Sequence, residues 1–309
     1  MTFFKNTKGV TKLFLALAIA IVVVIAGFIY LKLLKPGNCD RQKPILEALQ
    51  KEIGKTCKEW LPEELEKVRT LRLAEKGVLD ITKNDFSGLT DLRYLDLNNN
   101  KISKIEKGAF KSLKGLLFLY ISHNELKQMP ISVLKDFNEL LLINASNNQL
   151  SAIDLTSLTK LKDINLQSNQ IKSLPANFIH NSPGLRELRL QKNSISSLPD
   201  GFFAKSPEIF YVDLSDNQLT ELNRSAMEGL VKIQTLLVND NKIHQIGPKT
   251  FDNLNNLINL GLAGNNLDKI NIKQLDKLIN LKVVDLQDNP IKEKKILKKG
   301  DYKILLSND

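Results

Sequence analysis

The sequence predicts an α/β solenoid, a long stack of similar coils that share one parallel β-sheet. An eleven-residue pattern, L-x-x-L-x-L-x-x-N-x-I, is complete at residues 92–102 and recurs almost to the C-terminus. Its asparagine returns every 24 residues, apart from one 21-residue interval between Asn148 and Asn169. A single unit of this size cannot close a core alone, so its apolar face must be buried against the neighbouring units.

Ten copies of the pattern share one phase over residues 68–291. We number the pattern from its first leucine, position 1, to its asparagine, position 9, where the first copy has Lys76 instead. The other nine copies carry Asn100, Asn124, Asn148, Asn169, Asn193, Asn217, Asn241, Asn265 and Asn289. Because the chain turns inward after the strand, this amide is predicted to satisfy backbone groups that no sheet ladder can reach.

The repeated unit resembles the leucine-rich repeat in its 24-residue form. The resemblance implies a right-handed, curved horseshoe whose parallel sheet lines the concave side. Side chains alternate along a strand, so positions 4 and 6 point inward while positions 3 and 5 face out. Behind each strand, a second apolar column is predicted to lie in the core, formed by Phe86, Phe110, Leu134, Ile179, Phe203, Met227, Phe251 and Leu275.

The N-terminus has the layout of a targeting segment. Residues 1–12 form a basic flank with Lys5, Lys8 and Lys12, and residues 13–31 carry no charge. Such a run can cross about 30 Å of hydrocarbon, so we predict a transmembrane or signal-anchor helix over residues 13–34. A cleaved signal peptide is the alternative, with an A-x-A-like site before Gly27.

The predicted location of the repeats depends on this segment. Lysines both precede and follow the apolar run, so the charge bias does not fix its orientation. An N-terminal signal-like segment usually directs the rest of the chain across the membrane, which places the repeats outside the cytoplasm, either anchored or secreted after cleavage. Membrane contact is therefore predicted through residues 13–34.

The two ends of the solenoid need covers. Residues 35–67 are predicted to form a helical N-terminal cap, which contains the chain's two cysteines, Cys39 and Cys57. In an oxidising compartment these would form a disulfide, and the alternative is two unrelated reduced thiols. Residues 292–309 are predicted to be a basic C-terminal cap or tail, whose apolar residues, such as Ile296, Leu297 and Ile304, cover the open end.

The outward positions of the strands are acidic although the whole chain has a net charge of +10. Positions 3, 5, 7 and 8 together hold nine acids and three bases, a net charge of −6. The acids are Glu75, Asp96, Asp163, Glu187, Asp213, Asp216, Asp240, Asp285 and Asp288, and the bases are Arg72, Arg189 and Lys192. This balance disfavours nucleic acid on the concave face and favours a basic or mixed-charge protein. Alternatively, acids are simply common polar residues at these positions.

Aromatic residues cluster on the N-terminal half of the same face. Tyr94 and Phe118 share position 3, with Tyr120 at position 5 and Leu142 at position 3 of the next copy. Neighbouring strands lie about 4.8 Å apart, so these side chains are predicted to form one patch that anchors a protein partner. Mutual stacking of half-buried rings is the alternative. The other residues predicted to contact or attract the partner are Arg72, His123, Asp213 and Asp240.

The chain carries no recognisable enzyme signature. Its three histidines fall at unrelated repeat phases, and no Gly-rich phosphate loop or metal-spaced His/Cys cluster occurs. The sequence therefore predicts a non-enzymatic protein-binding module without cofactor or metal, membrane-anchored or secreted. The alternative is an intracellular scaffold or secreted effector of the same fold that acts on cytosolic or host proteins.

Overall fold

The computed structural model describes residues 39–292 and 302–307. The predicted membrane segment, residues 13–34, lies outside this range, as do Ile296 and Leu297 of the tail. Among the described residues, no helix has the length and apolar character needed to cross a membrane.

The described chain alternates short strands with return segments. In chain order the strands are β1 (Thr70–Arg72), β2 (Tyr94–Asp96), β3 (Phe118–Tyr120), β4 (Gln128–Met129), β5 (Leu142–Asn144), β6 (Ala152–Ile153), β7 (Asp163–Asn165), β8 (Glu187–Arg189), β9 (Tyr211–Asp213), β10 (Glu221–Leu222), β11 (Thr235–Leu237), β12 (Gln245–Ile246), β13 (Asn259–Gly261), β14 (Val283–Asp285) and β15 (Lys303–Leu305). The helices are α1 (Lys43–Ile53), α2 (Pro62–Glu66), α3 (Ile131–Leu134), α4 (Arg224–Met227) and α5 (Ile272–Leu275).

One parallel sheet runs the length of the solenoid, in the order β1-β2-β3-β5-β7-β8-β9-β11-β13-β14-β15. The register is constant, so equivalent positions of successive repeats pair directly, for example Tyr94 with Phe118 and Phe118 with Leu142. The pairs β4 with β6 and β10 with β12 lie on the return side. Each coil, one strand and its return segment, thus stacks in phase on the next, which confirms the predicted parallel solenoid.

The core includes the apolar residues predicted at positions 4 and 6 of the strands and in the return column. Leu95 and Leu97, at positions 4 and 6, are fully buried, and the eight residues of the return column are each at most 1% exposed. Within the return column the rings of Phe86 and Phe110 stack with centroids 5.8 Å apart, and the ring of Phe137, a core residue of the next coil outside that column, lies tilted 5.0 Å from Phe110. Burial of one such side chain contributes about 1.5–3 kcal/mol, so these columns stabilise the stack along its whole length.

The asparagines form a continuous hydrogen-bonded ladder between coils. Asn193 Nδ2 donates to the carbonyls of Leu190 and Leu166, both at 3.0 Å, and its Oδ1 accepts from Ile171 N at 3.0 Å. The shortened 21-residue coil keeps the arrangement, since Asn169 Nδ2 still reaches Ala145 O at 3.1 Å. Each ladder amide therefore closes its own turn and binds the coil before it.

Position 8 has a backbone constraint that the sequence pattern does not reveal. In every copy this residue lies in the left-handed region, with φ of 60° at Glu75, 55° at Asn99, 57° at Lys192 and 62° at Gly264. Asparagine and glycine tolerate this conformation best among the residues present, whereas alanine is strained there. Asn99, although exposed, is for that reason not a neutral site for alanine substitution.

The N-terminal cap contains α1 and α2 joined by a disulfide-bonded loop. Ile45 and Leu49 of α1 are fully buried against the first coil, and Trp60 is 2% exposed. Trp60 Nε1 donates to Lys55 O at 3.0 Å, which satisfies its one polar group. Cys39 and Cys57 form the predicted disulfide, with Cα atoms 5.5 Å apart.

Arg41 fixes this cap to the first return segment. Its buried guanidinium donates to the carbonyls of Asn84, Asp85 and Ser87 at 3.1, 2.5 and 2.6 Å. Burial lowers the pKa of Arg41 to about 10, and the nearby Asp85 carboxylate opposes that shift. Asp85, itself fully buried, accepts from Gln42 N at 3.0 Å, so two adjacent cap residues dock on the same coil.

The opposite end is covered by an additional strand. β15 pairs in parallel with β14, with Ile304 opposite Val284, although the asparagine pattern has already ended. Tyr302, Ile304 and Leu306 pack against the core, and Tyr302 OH donates to Asp276 Oδ1 at 3.1 Å. The C-terminal residues thus extend the sheet itself, which the sequence pattern does not predict.

Replacement of Asn193 by alanine is expected to lower the free energy of unfolding by about 1–3 kcal/mol, because it leaves buried backbone groups of two coils unpaired. Asn138→Ala is the matched control, since Asn138 is an exposed asparagine outside the ladder. Chemical denaturation of both variants measures the difference. Equal losses of stability would contradict the assigned role of position 9.

Candidate functional site

The outward residues of the sheet, called the concave face, bring the predicted aromatic residues together. Tyr94, Phe118 and Leu142 lie side by side at position 3 of consecutive strands. Tyr120 lies diagonally next to Tyr94, with ring centroids 5.3 Å apart and planes tilted by 40°. All four side chains are half-buried. They form one continuous surface, and we call these four residues the aromatic patch.

Polar groups border the aromatic patch at its N-terminal side. The Arg72 guanidinium lies over the Tyr94 ring, 5.6 Å from its centroid, in a cation–π arrangement. An open groove of about 520 Å³ continues from Arg72 to Lys51 and Glu52 of α1. His123 is exposed at position 8 of the Tyr120 coil. The aromatic patch thus adjoins the Arg72 guanidinium, beside which a groove with both cationic and acidic residues begins.

The Tyr120 hydroxyl stays protonated at neutral pH. Burial raises the pKa of Tyr120 above its usual value, and Tyr94, Asp96 and Asp163 add to the shift. A neutral phenol offers an apolar ring with one hydrogen-bonding end. Such side chains are enriched at the centres of protein interfaces because they contribute large contact area with little rotamer freedom to lose.

A second cluster lies further along the concave face. Arg189 forms an ion pair with Glu187 at 2.5 Å and lies over the Tyr211 ring, 4.7 Å from its centroid. Burial raises the pKa of Tyr211, and the adjacent Asp213 carboxylate adds to the shift. Sequence reasoning alone does not find the contact between Arg189 and Tyr211. The sequence gives one indication of this contact, because both residues occupy outward positions on adjacent strands.

Asp213 does not have the exposed position predicted for a residue that attracts a partner. It is 8% exposed, and its Oδ1 accepts from Ser215 N at 3.0 Å. This carboxylate, at the end of β9, accepts a hydrogen bond within the fold and is therefore less accessible to a partner. Asp240, by contrast, is exposed at position 8, where its backbone has φ of 52°.

Acidic residues repel one another along the face. Burial raises the pKa of Asp163, and the neighbouring Glu187 raises it further, while Arg189 opposes the shift. Burial also raises the pKa of Asp240, and the nearby carboxylates of Asp216 and Asp288 raise it further. β15 adds one base, Lys303, at the C-terminal edge. The face therefore keeps an excess of acids that destabilise each other in the free protein.

Metal ligands do not converge anywhere in the described part of the chain, where no group of three His, Cys, Asp or Glu side chains has a suitable arrangement. The side chains that do converge are aromatic, guanidinium and carboxylate groups on a rigid sheet. This arrangement can bind a surface of complementary shape and charge.

Comparison with known proteins identifies the repeat. The leucine rich repeat family matches residues 66–126, 183–243 and 232–291, which together make up more than half of the chain. The chain belongs to the leucine-rich repeat family. No curated protein sequence matches it.

Solved leucine-rich repeat structures share the fold. The functional domain of InlJ from Listeria monocytogenes, which includes a cysteine ladder, has a TM-score of 0.65 at 19% identity, over 79% of this chain and 50% of that one. Toll from Drosophila, in its complex with Spatzle, has a TM-score of 0.61 at 20% identity, over 80% and 43%. TLR13 in a complex with ssRNA13 has a TM-score of 0.59 at 20% identity, over 75% and 38%.

These relationships extend to the fold alone. The chain spans half or less of the length of each of these neighbours. Two of them were solved with a partner, Toll with Spatzle and TLR13 with an RNA.

Replacement of Asp163 by asparagine is expected to increase the stability at pH 7. Because the pKa of Asp163 is raised, the native state binds this proton more readily than the unfolded chain, and the ionised carboxylate costs stability above the raised pKa. The advantage of the variant should shrink as the pH falls through that pKa, where the wild-type carboxyl also becomes neutral. Denaturant unfolding of both proteins at pH 7 and at about pH 4 measures the effect.

The control for this experiment is Asp268→Asn, on an exposed return segment. It removes the same charge away from Glu187 and should give no comparable gain. A loss of stability in Asp163→Asn at pH 7 would show that the carboxylate makes favourable contacts that outweigh its burial.

Proposed function

We propose that this chain is a non-enzymatic binding protein that recognises a protein partner through its concave face. The observation that carries the proposal is the aromatic patch, in which Tyr94, Phe118 and Tyr120 present half-buried rings on the outer side of the sheet. The core is filled by other residues, at positions 4 and 6 and in the return column. Partly exposed aromatic rings that the core does not require are typical of interface anchors.

The rigidity of the sheet supports this function. The strands that carry the patch are each paired on both sides, and Ser122 Oγ donates to Asn98 Oδ1 at 2.7 Å between adjacent coils. A surface that is ordered before binding loses little conformational entropy on association. The patch can therefore contribute most of its contact energy to affinity.

Charge supports a protein over a nucleic acid. The complex of TLR13 with an RNA indicates that nucleic acid is a possible ligand for this scaffold. Here, however, position 8 carries the exposed residues Asp216, Asp240 and Asp288, and the pKa of Asp240 is raised by burial and further by its acidic neighbours. A phosphate backbone along these strands would be repelled, whereas a basic or mixed-charge protein would relieve the repulsion.

The disulfide supports an extracytoplasmic location. Bonds such as Cys39 to Cys57 form and persist outside the reducing cytosol. Together with the apolar run of residues 13–31, this favours a membrane-anchored protein, or one secreted after cleavage, over an intracellular scaffold. Free thiols at both positions in protein from its native cell would favour the intracellular alternative.

A photo-crosslinking amino acid at Phe118 is expected to yield an adduct with another protein in the cell of origin. The substitution replaces one aromatic ring by another, so the concave face should keep its shape. The same amino acid at Lys205, on an exposed return segment, is the control. Mass spectrometry of the adducts identifies the partner. Adducts from position 205 alone would place the binding site on the return side.

Once the partner is identified, Tyr120→Ala is expected to weaken its binding by about 2 kcal/mol, or roughly thirtyfold. The change removes the centre of the aromatic patch and only a half-buried ring from the free protein. Tyr211→Ala is the matched control, because it removes the same side chain from the second cluster. Calorimetry of binding and thermal unfolding of both variants separate affinity from stability. Wild-type affinity in Tyr120→Ala would exclude the patch.

The exposed acids are expected to act on the association rate. The double substitution Asp216→Asn and Asp240→Asn removes two rim charges, while asparagine keeps the left-handed backbone that Asn99 and Asn147 already adopt there. Association should slow severalfold and its dependence on salt should weaken, because steering acts mainly on encounter. Stopped-flow kinetics at two salt concentrations measure both quantities. An unchanged rate, with Asp268→Asn as control, would contradict a basic partner.

A further inference from the structure

The positive charge of the described residues is concentrated in one short stretch. Residues 101–135 contain seven lysines and two glutamates, a net charge of +5. All described residues together contain 35 basic and 31 acidic side chains, a net charge of +4. The outward strand residues of this stretch, such as Phe118 and Tyr120, are uncharged. Its lysines therefore lie on the return segments and rims, away from the aromatic patch.

Repeat spacing brings these lysines together on the return side. Lys83, Lys107 and Ile131 occupy equivalent places in three consecutive coils, as do Lys111 and Lys135 in two of them. The coils are joined at this level, since Ile81 pairs with Ile105. We call Lys83, Lys104, Lys107, Lys111 and Lys135 the basic patch. All five side chains are exposed.

An apolar residue lies within the basic patch. Ile131 is 41% exposed although it begins α3, and its neighbour at the equivalent place in the preceding coil is Lys107. Three acids lie nearby: Asp80 accepts a hydrogen bond from Lys104 N at 2.8 Å, Glu106 accepts one from Lys83 N at 3.1 Å, and Asp136 follows Lys135. Exposed apolar residues surrounded by lysines are suited to the interface of an anionic membrane, where the lysines meet headgroups and the apolar side chain enters the boundary.

The place where the N-terminal segment joins the fold also favours a membrane as the surface that the basic patch contacts. Arg41 is bound to the carbonyls of Asn84, Asp85 and Ser87, directly after Lys83 in the first return segment. The apolar run ends at Leu31, ten residues before Arg41. Ten extended residues span at most about 36 Å. A membrane that holds this run therefore lies within reach of the basic patch.

We propose that the basic patch docks the return side of the solenoid on an anionic phospholipid surface. The inference is independent of the concave-face function and assumes the anchor proposed for residues 13–34. Docking through the return side leaves the aromatic patch pointing away from the membrane. A tethered solenoid would otherwise rotate freely, so the contact would set the direction in which the concave face is presented.

Lysine labelling of the full chain in vesicles tests this proposal. The chain is reconstituted in phosphatidylcholine alone, or with added phosphatidylglycerol, and treated with an amine-reactive acetylating reagent. The rates at Lys107 and Lys111, divided by those at Lys205 and Lys273 in the same molecules, should fall about threefold or more in the anionic vesicles. High salt should restore them, because it screens exposed charges. Equal ratios in the two vesicles would overturn the proposal.

Two variants separate docking from a structural effect. Lys107→Gln combined with Lys111→Gln and Lys135→Gln should abolish the protection of Lys83 and Lys104, whereas Lys172→Gln with Lys269→Gln, two exposed lysines outside the patch, should leave it intact. Protection by soluble polyphosphate in neutral vesicles, with none from phosphatidylglycerol, would assign the patch to a soluble polyanion and overturn membrane docking. Flotation with neutral vesicles reports on the anchor separately. A chain that floats only with anionic vesicles contradicts the anchor, and the labelling of Lys107 and Lys111 then decides whether the basic patch makes the contact.

Discussion

The turn after each strand is the constraint on which the rest of the structure depends. There the chain leaves the sheet with backbone groups that no strand can pair, and one asparagine satisfies groups from its own coil and from the coil before it. Asn193 contacts residues 166, 171 and 190 in this way. Because every asparagine joins two coils, the ladder fixes where each strand ends, and therefore which side chains face outward.

The two ends of the stack are completed by different physical means. At the N-terminus a charge is buried, since Arg41 loses water and is compensated by three carbonyl groups and Asp85. Buried charges are costly unless their hydrogen bonds are satisfied, and here the geometry satisfies them while it fixes the cap. At the C-terminus β15 adds one more layer to the sheet. Both arrangements exclude water from the apolar core of the terminal coil that they cover.

Periodicity allows most of the fold to be predicted, because burial repeats with the sequence. The inward leucines and the return column follow from spacing alone. The backbone conformation at position 8 cannot be predicted in this way, because Glu75, Lys192 and Asp216 have the same left-handed backbone although their side chains differ. The predicted exposure of Asp213 is wrong because phase gives the direction of a side chain and not its contacts. β15 has no asparagine, so no pattern marks it.

Charge and aromaticity are segregated within single coils. In the coil from Asn100 to Asn124, the outward strand carries Tyr120 while the return carries Lys107 and Lys111. The strand and the return of one coil lie on opposite sides of the core. A partner on the rings and a surface on the lysines would therefore not compete for space. Since the same short stretch of chain carries both features, docking of its return side would also fix the direction in which the rings are presented.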